Sequence, residues 1–126
     1  MITDRRKNRS DSPFEAANLY LRAAVQGRDV HAVAIANQDG FLVAAAGLGY
    51  DLPGLASLGP VYGGDGIGHD FPDTLVDDVT HGDDLYASAI EVCGETLYVA
   101  SIGARLPRQR ETEVALQRIL APALVC

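Results

Sequence analysis

Tryptophan is absent from this chain of 126 residues, methionine occurs once, and the only lysine is Lys7. No apolar run approaches the roughly 20 residues of a membrane-spanning helix, so no membrane span is predicted. The basic stretch from Met1 to Asp11 is followed by no apolar segment. It reads as a disordered arm rather than a secretory signal. Two cysteines, Cys93 and Cys126, are too few for a disulfide framework, and the expected compartment is a reducing cytoplasm. Nine of the ten basic residues are arginine, a bias that accompanies GC-rich, bacterial coding sequence.

Positive charge is missing from the whole middle of the chain. Between Arg28 and Arg105 there is neither Lys nor Arg, while Asp29, Asp39, Asp51, Asp65, Asp70, Asp73, Asp77, Asp78, Asp83, Asp84, Glu91 and Glu95 fall in that interval. The flanks carry a small positive excess, and the net charge is −7. An acidic middle repels phosphate backbones, which argues against a nucleic-acid partner. It reads as a solubilising surface, or as a face that meets a basic partner.

Hydrophobic residues make up 48% of the chain, enough for one globular domain, taken as residues 12–122. Ser12 and Glu15 have capping-box spacing around Pro13, and Phe14, Ala17, Leu21, Ala24 and Val25 recur at helical spacing. A helix is predicted over 13–26, stopped by Gly27. The apolar runs 31–36 and 41–46, joined by Asn37-Gln38-Asp39-Gly40, predict an antiparallel hairpin. Both strands are apolar on both faces, so the sheet needs helices on each side. Residues 51–62 carry Leu52, Leu55, Ala56 and Leu58, but Pro53, Gly54, Gly59 and Pro60 predict only a short or distorted helix. Residues 63–71 read as a loop, and 73–79 as an edge strand or a helical turn. Runs 85–92 and 95–103 alternate and are joined by Cys93-Gly94, a second hairpin. A last helix is predicted over 108–120, ended by Pro122. Val33, Ile35, Leu42, Ile90, Leu97 and Val99 are the expected core.

From Val30 to Gly47 this order resembles the opening hairpin of Roadblock/dynein-light-chain domains. An apolar strand, a turn ending in Asp39-Gly40 and a second strand running to a glycine follow a leading helix. The later hairpin and closing helix extend the resemblance over about Pro13 to Leu120. It implies an α/β (α+β) domain with a five-stranded antiparallel sheet flanked by helices, a shape shared with longin-like and profilin-like domains. It further implies a homodimeric, non-catalytic scaffold or regulator of a small Ras-like GTPase. The implied central helix would lie at the dimer interface, which points to Leu52, Leu55 and Leu58, with Leu75, Val76 and Val79 beside an open edge.

Other chemistry has weak support in the sequence. The glycine-rich stretch 63–68 lacks the Gly-Lys-Ser/Thr of a phosphate-binding loop, and no cofactor is expected. Asp65, His69, Asp70 and His81 are the best metal-ligand candidates, yet their spacing matches no EF-hand or zincin helix, so no metal is expected. Ser57, Ser88, Ser101, Cys93 and Cys126 are the candidate nucleophiles, and none stands in a nucleophile elbow or near a histidine in sequence. The alternatives to an interaction domain are a small-ligand or metal-sensing domain built on residues 63–84, and an enzyme whose site one sequence does not reveal.

Overall fold

In the computed structural model, residues 13–26, 29–63, 73–105 and 109–124 are described. Two local hairpins form the sheet. The first joins β1 (Ala32–Ala36) to β2 (Leu42–Gly47), and the second joins β3 (Leu85–Val92) to β4 (Glu95–Ile102). The first turn closes on Asn37, whose side-chain carbonyl accepts the amides of Asp39 at 2.9 Å and Phe41 at 3.0 Å. Gly40 completes it with φ +85°, a left-handed conformation that costs glycine little. The second turn needs two left-handed residues, Cys93 (φ 56°) and Gly94 (φ 79°), as a two-residue hairpin does. β1 then pairs antiparallel with β4, Ala32 opposite Ile102 and Ala36 opposite Tyr98, giving the order β2-β1-β4-β3.

Every residue of β1 is buried, so the strand is covered on both faces as its composition requires. Alternation sorts its side chains. Val33 and Ile35 pack with Ala44, Leu97 and Val99 against Ala17 and Leu21 of α1 (Pro13–Val25) and Leu116 and Leu120 of α4 (Gln109–Leu124). Ala32, Ala34 and Ala36 face the other way. There they meet Leu55, Ala56 and Leu58 of α2 (Leu52–Gly63) and Val79 of α3 (Asp73–Thr80). The result is a helix, sheet, helix sandwich with one core on each face of the sheet.

The central helix departs from expectation. Residues 52–63 form a continuous helix of 12 residues, with Pro60 inside it, where a short or distorted one was expected. Asp51 caps it, its Oδ1 accepting the Gly54 amide at 3.1 Å while its carbonyl accepts the Leu55 amide at 2.9 Å. Pro53 lies in the first turn, where its missing N–H costs nothing. Gly59 faces β4: a Cβ there would stand 3.0 Å from the Tyr98 Cβ and 3.6 Å from that of Ala36. The glycine lowers helix propensity, and in exchange the helix backbone lies close on a sheet surfaced with alanine.

Four strands, not five, are present among the described residues. The segment expected as a fifth, edge strand is the helix α3, because Val76, Val79 and Thr80 turn inward together at helical spacing. Thr80 satisfies its buried hydroxyl by donating to the Val76 carbonyl at 2.9 Å. The closing helix runs on to Leu124 through Pro122 rather than ending before it, since a proline in the last turn disturbs few bonds. Of the expected core residues, Leu42 is 41% exposed while the other five are buried. A register irregularity between Ile35 and Ala36, opposite the start of β2, accompanies that exposure.

Candidate interaction surface

The proposed interface residues are split by the fold. Leu55, Leu58 and Val79 are buried in the protomer's own core, and Leu52 and Val76 are half-buried. Only Leu75, on the outer face of α3, is exposed. The largest exposed apolar side chains lie elsewhere, at the two ends of β2. Phe41 is 68% exposed and Leu48 is 93% exposed.

β2 is an edge strand of the described sheet, and α1 lies against it. Asn18 reaches from α1 to accept the outward-pointing amide of Ala45 at 2.8 Å. The centre of this edge is therefore blocked to an added strand, a protection that edge strands commonly need. Beyond Asn18 the helix and strand diverge into a groove lined by Arg22, Val25, Ala45, Leu48 and Leu52. Arg22 has no ion-pair partner among the described residues. A shallower groove between α1 and α4 holds Tyr20, Arg110, Val114 and Arg118. There the Tyr20 hydroxyl donates to Thr112 Oγ1 at 3.4 Å. The polar residues Asn18 and Arg22 inside an amphipathic helix were the only sequence signal of the first groove, and helical spacing alone gives them no role.

The candidate chemical groups are dispersed. The Ser57 hydroxyl donates to the Gly54 carbonyl at 2.6 Å and that of Ser101 to the Ala104 carbonyl at 2.8 Å, which makes both structural. Ser88 lies mid-strand in β3, where the end of α2 at Gly63 comes close to its backbone. Cys93 is in a disulfide and presents no free thiol. Cys126 lies outside the described residues, as do Asp65, His69 and Asp70. His81, the remaining metal-ligand candidate, is exposed with φ 57°. Its ring stacks on Tyr50, centroids 4.4 Å apart, tying the end of α3 to the approach to α2. His31 is exposed at the start of β1, its amide donating to the Ile102 carbonyl at 2.8 Å. Among the described residues no group of three or more His, Cys, Asp or Glu side chains converges as a metal site would, and no helix is long and apolar enough to cross a membrane.

No protein-family model matches the chain, and no curated protein matches it. Among solved structures, Myxococcus xanthus MglB is similar, with 17% sequence identity over 89% of this chain and 90% of that chain and a TM-score of 0.48.

Proposed function

We propose that this chain is a non-catalytic protein-interaction domain that self-associates and acts as a scaffold or regulator of a small Ras-like GTPase. The observation that carries the interaction part is the contrast along the first hairpin. β1 is wholly buried, while at its neighbour β2 Phe41 and Leu42 are exposed at one end and Leu48 at the other, where it lines a groove. A domain whose core is already closed on both faces has no internal use for such side chains, and an exposed large apolar residue beside an apolar groove suits contact with a partner. The GTPase part rests on the family resemblance of the sequence. The order of helices and hairpins, with β1 and β4 central in an antiparallel sheet, is compatible with it.

Purified protein titrated against small Ras-like GTPases from a bacterial source, loaded with GDP or with a non-hydrolysable GTP analogue, tests that reading by calorimetry. Binding that depends on the nucleotide is the expected outcome, with loss on Leu48→Asp. Equal, negligible heats in both nucleotide states across the set would exclude the GTPase as partner. Light scattering at tens of micromolar tests self-association separately.

A further inference from the structure

The groove beside β2 is selective about what can fill it. Asn18 already occupies the Ala45 amide, so an extended segment cannot add to the middle of the strand. A helix or a set of projecting side chains remains. The walls are apolar, through Val25, Leu48 and Leu52, and the one charge among the lining residues is Arg22, which has no ion-pair partner among the described residues. A complement must offer an exposed large apolar side chain with a carboxylate beside it and no competing cation.

Among the described helices, α3 has that composition. Its sequence, Asp-Thr-Leu-Val-Asp-Asp-Val-Thr, contains no basic residue. Leu75 and Asp78 are one turn apart and both exposed, and Asp77 is exposed as well. The exposed apolar residues of the terminal helices, Phe14 and Leu19 on α1 and Val114 on α4, instead share their helices with Arg22, Arg110 and Arg118. The groove and α3 are also neighbours in the protomer: Leu52, which lines the groove, and Val76 of α3 flank the same apolar cluster. A two-fold pair that set the groove of each copy on α3 of the other would form the same contact twice, as an isologous interface does.

We propose that the α1–β2 groove docks helix α3 of a second copy of this chain, with Leu75 entering beside Leu48 and Leu52 and Asp78 meeting Arg22. This rests on the self-association part of the proposed function and names the face that performs it. Apolar burial dominates the contact, because an exposed ion pair contributes little and is screened by salt. The charges act mainly on register, since like charges placed opposite each other oppose docking.

A charge-swap experiment by sedimentation velocity decides the matter. Arg22→Asp places two carboxylates together at both contacts of the pair, and Asp78→Arg places two cations there. Each variant alone is expected to associate at least about tenfold more weakly than wild type, equivalent to about 1.4 kcal/mol. An equimolar mixture of the two restores one swapped contact and one native contact, so it should associate within about twofold of wild type, by the same arithmetic. Both residues are exposed, and an unchanged circular dichroism melt confirms folding of each variant. Wild-type-like association of the single variants, or a mixture no better than either alone, overturns this face while leaving self-association standing. A wild-type monomer throughout the range overturns both.

Discussion

The two faces of the sheet are built on different principles. On the α1–α4 face, branched and large side chains such as Val33, Ile35, Leu97, Val99, Leu21 and Leu116 interdigitate. On the α2–α3 face, the sheet shows mostly alanine through Ala32, Ala34, Ala36 and Ala100, and α2 supplies the leucines. Gly59 brings that helix close. The first face is stabilised by side-chain volume and the second by backbone proximity. A mutation of a given kind should therefore have opposite consequences on the two: truncation damages the first, and enlargement damages the second.

The largest expected effect is truncation on the first face. Ile35→Ala should cost roughly 2–4 kcal/mol, because a fully buried side chain is lost between two packed layers. An unchanged urea midpoint would dissolve the distinction. Enlargement on the second face is the converse experiment. Gly59→Val should destabilise by about 1–3 kcal/mol despite removing a poor helix former, since its Cβ would begin 3.0 Å from Tyr98 Cβ. A gain in melting temperature, as propensity alone predicts, would show that the close approach is not required.

Smaller effects sharpen the comparison at its margins. Asp51→Ala should cost about 0.5–2 kcal/mol by removing the cap that starts α2, with Asp51→Asn or Asp51→Ser recovering most of it in chemical denaturation. Asn18→Ala belongs to neither face. It should cost about 0.5–1.5 kcal/mol for the lost bond to the Ala45 amide, and hydrogen exchange at that amide should accelerate. Persistent protection at Ala45 would mean that the cap is dispensable.

This contrast also explains what the sequence disclosed. The volume-packed face was legible, because Val33 and Ile35 lie in a wholly apolar strand, Leu97 and Val99 alternate, and α1 has helical periodicity. Both hairpins were legible from their turns, Asp39-Gly40 and Cys93-Gly94. The proximity-packed face was misjudged. Pro53, Gly54, Gly59 and Pro60 lower intrinsic helicity, and nothing local shows that an alanine-surfaced sheet compensates by tertiary contact. Residues 73–79 were ambiguous because Leu75, Val76 and Val79, three apolar residues in seven, suit a strand margin as well as a short amphipathic helix. Of the surface, Leu75 was anticipated as exposed and Phe41 and Leu48 were not. Leu42 was assigned to the core because the hairpin strands are apolar on both faces, which assumes that the sheet is covered along the whole of β2. The Asn18 contact depends on residues 27 positions apart, which no local pattern reveals.

The strand order also bears on how the chain reaches this state. Each hairpin closes over a short loop, a step that takes on the order of 1–10 μs. The central pairing of β1 with β4 joins Ala32 to Ile102 and must wait for most of the chain to come together. Until then β1, which ends fully enclosed, has one uncovered edge made of small apolar residues. Two quickly formed halves that then search for each other set a refolding barrier in the middle of the sheet. Substitutions at the β1–β4 seam, such as Ala34 or Ala100, should therefore slow refolding more than equally destabilising changes at either hairpin tip.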